Sequence, residues 1–219
     1  MVLNSPNAEF QLDKVVPSSS PGLLDEVYRL RYDVYVREMK LPVRHFGEQL
    51  SDQFDSYSTS FLLRHEGVAV GTIRMTDRRK GPLEIEDQNS EWNERVASIA
   101  ESQDGHAGEV TRFIVKKEAR GSSIAPRLLV AVLNEMLDKG IRTALGASKK
   151  GSMNRYHIRY GAEVENRYCC EYQAMSHTFG TYYLMTWNLN TDPQRLFSRL
   201  LGDIAAPSAK SHSNARDHQ

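Results

Sequence analysis

An α/β fold with a mixed, largely antiparallel sheet follows from the order of hydrophobic patterns along the 219 residues. Stretches of short apolar runs take turns with stretches whose apolar residues recur three and four apart, the mark of strands interleaved with helices. No internal repeat and no Gly/Ser-rich linker interrupts the first 200 residues. One core of ordinary domain size accommodates such a chain. Residues 1–204 therefore read as a single domain, and residues 205–219 as a polar tail too poor in large apolar groups to fold.

The elements come in order. Phe10 to Val16 reads as a short strand. Ser20-Pro21 opens a helix, with serine as cap and proline in the first turn. Leu23, Val27, Leu30 and Val34 then mark one helical face. Pro42 to Ser58 has no period and reads as a long loop, a feature often functional in compact domains. Phe61 to Arg64 and Val68 to Met75 flank Glu66-Gly67 as a hairpin. A helix over Ser90 to Glu101 and a strand over Glu109 to Lys116 follow. Leu128, Leu129, Val132, Leu133 and Met136 mark another amphipathic helix. Arg142 to Ala147 is a strand, Ser152 to Arg159 a short helix, and two strands close the domain near Glu163 to Met175 and Thr181 to Leu189.

Composition excludes several functions. Lys plus Arg and Asp plus Glu are 28 each, so the basic excess of a dedicated nucleic-acid binder is missing. The longest apolar run, Leu128 to Leu133, is too short to span a bilayer, and Asn4, Asn7, Glu9 and Gln11 break up any leader at the start. The only cysteines, Cys169 and Cys170, are adjacent and poorly placed for a disulfide, which points to a reduced, cytoplasmic protein. Seven histidines without ligand spacing give no metal site. No Gly-x-Ser-x-Gly elbow appears, and Gly146 to Ser152 lacks the lysine a phosphate-binding P-loop requires.

Chemistry concentrates in residues 109–133. A strand runs into Arg120-Gly121-Ser122-Ser123, and an amphipathic helix follows at once. Its first turn carries no acid, while Arg120, Arg127, Lys116 and Lys117 surround it. Free amides and cations at a helix start suit a phosphate, although a glycine turn with solvated bases explains the same residues. A second set is charged: Arg31, Asp52, Asp55, Arg74 and Arg112. Solvated charges or a structural ion-pair network would account for them. Arg74 and Arg112, however, fall on expected central strands, where unpaired charge is expensive, and Asp52 and Asp55 in the long loop are suitable partners. Regular alternation places Glu109 and Thr111 on one face of their strand and Val110 and Arg112 on the other, unless a bulge intervenes.

Arg120-Gly121-Ser122-Ser123-Ile124-Ala125 resembles the Arg/Gln-x-x-Gly-x-Gly/Ala pyrophosphate loop of the GNAT superfamily, with Ser123 in place of the middle glycine. Arg155-Tyr156-His157-Ile158-Arg159-Tyr160-Gly161 resembles the superfamily's later Phe-Tyr-x-x-x-Gly helix, His157 standing where a tyrosine general acid is often found. Arg31-Tyr32-Asp33-Val34-Tyr35, Asp52-Gln53-Phe54-Asp55, Gly71-Thr72-Ile73-Arg74 and Glu109-Val110-Thr111-Arg112-Phe113 occur in the order seen in acyl-homoserine-lactone synthases and the related bacterial N-acyl amino acid synthases. Leu41 stands where the lactone synthases usually carry tryptophan.

The resemblance implies a GNAT-like acyl-CoA N-acyltransferase fold, with a bulge on the strand of Glu109. It also implies an N-acyltransferase that moves a medium or long acyl chain onto the α-amine of an amino acid. Lactone synthesis from S-adenosylmethionine is second, disfavoured by Leu41. An acetyl-coenzyme A acetyltransferase and a non-catalytic relative that binds acyl groups or carrier protein remain open. Glu109 is the expected general base. Arg31, Tyr35, Asp52, Asp55, Arg74, Arg112 and Phe113 are expected at the substrates, with Arg31 or Arg112 gripping an acceptor carboxylate. Ile114, Val115 and Arg120 to Ala125 are expected along the acyl-phosphopantetheine arm, the co-substrate, with amides near Phe113 to Val115 as oxyanion donors. No tightly bound cofactor is expected. Lys116, Lys117, Arg120, Arg127, Lys149, Lys150 and Arg155 form a candidate basic face for an acidic acyl carrier protein or the phosphates of coenzyme A.

Overall fold

The computed structural model describes residues 10–102, 106–120, 123–149, 158–190 and 193–205. Seven strands form one sheet: β1 (Phe10–Val15), β2 (Thr59–His65), β3 (Val68–Asp77), β4 (Ala107–Val115), β5 (Thr143–Lys149), β6 (Glu163–Ala174) and β7 (His177–Asn188). Their spatial order is β1-β2-β3-β4-β5-β7-β6, every pair antiparallel except β4 with β5. Helices α1 (Pro21–Tyr32), α2 (Ser90–Ser102), α3 (Ile124–Asp138) and α4 (Pro193–Ala205) flank it. The mixed, mostly antiparallel sheet expected from the sequence is therefore present.

Alternation along the strands divides the core between two faces. Leu63, Ile73, Met75 and Met185 meet Ile124, Leu128, Val132 and Leu200 under α3 and α4. On the opposite face, Leu62 and Ile114 pack with Val27 and Leu30 of α1, while Leu145 and Leu184 pack with Trp92 and Val96 of α2. Between those last two clusters lies a buried polar strip, since Thr72, Arg74 and Thr76 of β3 turn to that face without solvent access. In an isolated strand this alternation would mean a solvated face. Here α1, the Asp52 loop and the turn after β3 cover it.

Two strand features shape the site. β4 and β5 pair only over Ala107–Glu109 and Thr143–Leu145, although both run on to Val115 and Lys149. Beyond Glu109 the two strands splay, so no described strand lies alongside that edge of β4. The pairing of β3 with β4 also shifts between Thr72 and Arg74, opposing Arg112 and Phe113 to Ile73 alone. Arg112 holds φ +50° at this bulge, a conformation that costs a non-glycine residue about 1–2 kcal/mol.

Several local expectations change. Ser20 occupies the cap position of α1 but makes no side-chain cap hydrogen bond. After α1 the chain widens into a π-helical turn, Asp33–Glu38, which carries Tyr35. The stretch read as a loop contains a 3₁₀ turn, Gln53–Tyr57. Helix α4 went unread, although Leu196, Phe197 and Leu200 supply an apolar face and pack on the α3 side. Ala205, the first residue assigned to the tail, closes that helix, and residues 206–219 lie outside the described residues, as do 152–157 of the expected short helix.

Gly71 sits where α3 crosses β3. A Cβ there would stand 2.9 Å from both Ile124 Cγ2 and Leu128 Cδ1 and 3.2 Å from the Ile114 carbonyl. Gly71→Ala is expected to reduce stability by about 1–3 kcal/mol in urea denaturation, as overpacking in a closed core does.

Candidate active site

The polar strip gathers three arginines and four carboxyl groups from five segments. Asp52 and Asp55 build their own scaffold: the Phe54 N–H donates to Asp52 Oδ1 at 3.0 Å, and the Asp52 N–H donates to Asp55 Oδ2 at 2.8 Å. This reciprocal arrangement makes the D-x-x-D spacing a capping box for the 3₁₀ turn. The outer edges of both carboxylates then face the arginines.

Arg31, from the last turn of α1, is fully buried and donates through Nη1 to both Asp55 oxygens at 2.8 Å. Its Nη2 reaches Ser60 Oγ at 3.3 Å, and Nε lies buried without a hydrogen-bond partner. Arg74, also without solvent access, donates to Thr111 Oγ1 at 2.9 Å, to Asp55 Oδ1 at 3.0 Å, to Glu84 Oε2 at 2.6 Å and to Asp52 Oδ1. The Phe54 ring lies 5.5 Å from its guanidinium. Arg112 donates to Asp52 Oδ2 through Nε at 3.0 Å and Nη2 at 2.6 Å, and to Glu84 Oε1 at 2.9 Å.

The β4 bulge makes this cluster possible. Before it, Glu109 and Thr111 face the strip and Val110 packs toward α3; after it, Phe113 and Val115 pack toward α3. The extra residue reverses the parity and brings Arg112 onto the face of Glu109. Regular alternation would have pointed it into the apolar layer.

Glu109 is fully buried at the point where β4 and β5 part. Its Oε2 accepts the Glu84 N–H at 2.7 Å, and Oε1 is buried without a hydrogen-bond partner. Burial and then the Glu84 carboxylate push its pKa up to about 8, against the opposing pull of Arg74 and Arg112. Asp52 goes the other way. Burial alone would raise it, but Arg112, Arg74 and Arg31 hold it well below the usual carboxylate range. Tyr35 stands edge-on to Phe179, ring centroids 6.1 Å apart, and burial raises its phenol pKa despite Arg112 and Arg31.

The expected residues thus divide. Arg31, Asp52, Asp55, Arg74, Glu109 and Arg112 form one network. Glu84, unread in the sequence, sits at its centre; the signal was an acid at Glu84 and at Glu86 interleaved with fully buried Leu83 and Ile85. Arg31 is held by both Asp55 oxygens beneath α1, and Arg112 by Asp52 and Glu84. Phe113 and Val115 pack toward α3 and Ile114 toward α1.

Of the expected phosphate loop, Gly121 and Ser122 lie outside the described residues, as do Arg155, Tyr156, His157 and Lys150. Ser123 precedes α3 without capping its amides; its hydroxyl accepts from Arg127 Nε at 3.2 Å. Ile124 is buried against the sheet. Arg120 donates to the Val115 carbonyl at 3.0 Å and pairs with Glu38 at 2.5 Å. The basic face is thus partly neutralised by the π-helical turn, with Lys116 lying 3.8 Å from Asp33.

Residues 30–130 match the family model described as an acetyltransferase (GNAT) domain. Curated proteins gave no significant match. Solved structures similar in fold include BjaI, a CoA-dependent acyl-homoserine lactone synthase, at 18% identity and TM-score 0.63 over 91% of this chain and 92% of that one. The lactone synthase LasI shows 18% identity and TM-score 0.60 over 91% and 98%. FeeM, an N-acyl amino acid synthase from uncultured soil microbes, shows 15% and 0.62 over 84% and 93%. Among the described residues, no helix is long and apolar enough to cross a membrane. Residues 30–130 are thus similar to a GNAT acetyltransferase domain, and the fold of the whole chain is similar to that of these synthases.

Proposed function

We propose that this protein transfers a medium or long acyl chain from an acyl carrier protein or acyl-coenzyme A thioester to the α-amine of an amino acid. The observation that carries the reading is a buried carboxyl, Glu109, placed where β4 parts from β5 and leaves its edge without a described strand alongside. An extended pantetheine arm fits such an edge, since its amides can pair as a strand would. The amine nitrogen attacks the thioester carbonyl as Glu109, in its ionised form, takes the amine proton directly or through water. Backbone amides near the bulge, Phe113 to Val115, are the proposed donors to the oxyanion. Collapse breaks the C–S bond, and the proton passes on to the departing thiolate. An amide and a free thiol result.

The partners follow from charge. Lys117, just past the end of β4, and Lys149, at the end of β5, suit an acidic carrier protein or the phosphates of coenzyme A. Leu41 in place of a tryptophan favours an amino acid as acceptor. The fold likeness to lactone synthases supports a second reading, with S-adenosylmethionine as acceptor.

Purified protein is to be incubated with acyl-coenzyme A and acyl carrier protein thioesters, an amino acid mixture and S-adenosylmethionine, with products followed by mass spectrometry. N-acyl amino acids are the expected result. Acyl-homoserine lactones would select the second reading. Acetylated amine alone would reduce the protein to a short-chain acetyltransferase, and no acyl product from any donor would overturn both readings.

A further inference from the structure

Glu84 occupies a junction that none of the expected site residues fills. It stands on the 3₁₀ turn Glu84–Asp87, pinned by fully buried Leu83 and Ile85 and by the Leu83 N–H donating to Glu86 Oε2 at 2.8 Å. Its two carboxylate oxygens accept from different arginines, Oε2 from Arg74 at 2.6 Å and Oε1 from Arg112 at 2.9 Å. Its own peptide N–H donates to Glu109 Oε2 at 2.7 Å. Three side chains of the site are therefore held by one residue.

Arg31, Arg74 and Arg112 supply three positive charges, while Asp52, Asp55, Glu84 and Glu109 could supply four negative ones. Asp52, Asp55 and Glu84 each accept hydrogen bonds from at least one guanidinium. Glu109 accepts only a peptide N–H and keeps one buried oxygen unpartnered. A buried cluster favours balance, so the surplus proton belongs on Glu109.

We propose that Glu84 is a positioning residue for acyl transfer: it aligns Arg74 and Arg112 with Glu109, and its negative charge keeps a proton on Glu109 at neutral pH. This rests on Glu109 as the proton acceptor of the reaction proposed above. The groups facing Glu109 are Glu84 from the turn, Arg74 from β3, Arg112 from β4, Tyr172 from β6 and Tyr57 from the Asp52 loop. Both tyrosines are themselves raised, so Glu84 is the negative neighbour that acts below their titration.

The test compares wild type, Glu84→Gln and Glu109→Gln by infrared titration of the protonated-carboxyl band, alongside the pH profile of acyl transfer. Wild type should show a band at pH 7 that Glu109→Gln lacks. Glu84→Gln leaves three carboxylates for three arginines, so the band's midpoint, and that of the rising limb of the rate profile, should fall by about one pH unit or more. An unchanged midpoint overturns the proposal. If the glutamine variant does not fold, the same substitution is made in Arg112→Gln, where the two charges are lost as a pair. The midpoint must then be lower in the double variant than in Arg112→Gln alone, and equal midpoints overturn the proposal. A wild type that acylates no amine overturns the proposed reaction, while the infrared titration still decides whether Glu84 governs the proton on Glu109.

Discussion

Glu109→Gln should lower acyl-transfer turnover by roughly 10²–10⁴-fold, because an amide cannot accept the proton that leaves the attacking nitrogen. The shape of the wild-type pH profile is a companion expectation. Glu109 has its pKa pushed up to about 8 by burial and by Glu84, so turnover should rise as pH passes through that value. Glutamine at position 109 keeps an acceptor for the Glu84 N–H but has nothing to ionise, and the residual rate should follow only the acceptor amine. Stability should move in the opposite direction to activity. A carboxyl whose folded pKa lies above its ordinary 4.5 holds its proton more tightly in the folded state. Its contribution to stability is full below 4.5 and lost as pH rises through about 8. Glu109→Gln should therefore melt at a higher temperature than wild type at pH 9, with the difference shrinking toward pH 5. Equal turnover in the two proteins would remove Glu109 from the reaction.

Arg74→Ala should be the most damaging single change to the fold. The arginine joins Asp52, Asp55 and Glu84 and donates to Thr111 with no access to solvent. Burial and the neighbouring Arg112 both work against its charge, yet Asp52, Glu84 and Asp55 outweigh them and raise its pKa further. Alanine would leave four buried carboxyl groups facing two guanidiniums. Breaking a buried pair by removing one partner costs about 3–5 kcal/mol, and for a chain of this size that is a fall in Tm of roughly 6–20 °C. Arg74→Lys keeps the charge without the planar fork, so it should recover only part of the loss. Thermal unfolding of the three proteins at pH 7 measures this. Acid should weaken wild type through the same cluster, since Asp52 is held below its ordinary 3.8 and its contribution is lost as pH falls. Full stability in Arg74→Ala would mean that the cluster is not a structural keystone.

The charged cluster is partly legible before the fold. Arg31, Asp52, Asp55, Arg74 and Arg112 read as one set, and one network holds the five, joined to Glu109 through Glu84. The same residues are open to a purely structural reading as an ion-pair network, and that reading describes the contacts of Arg31, Arg74 and Arg112 alike. Glu84 escaped notice because an acid between a proline turn and a helix looks solvated. Only the packing of Leu83 and Ile85 beneath α2 turns it inward. Helix α4 escaped because its apolar face is short and lies beside a polar tail, although Leu196, Phe197 and Leu200 fall on one side.

The order of elements, the apolar faces and the set of ionisable residues are written locally in the chain, because propensity and periodicity act over a few neighbours. The packed fold sets which charge meets which, since Arg31 and Asp55, or Arg112 and Glu84, are brought together by chain closure over tens of residues. It also decided the face of Arg112. Alternation assigns that side chain to the layer under α3, and one additional residue in β4, at a positive φ, reverses it. Finally, the proton on Glu109 follows from the surroundings alone. A carboxyl in water ionises near 4.5, whereas one buried beside Glu84, with the arginines already matched, holds its proton to about 8.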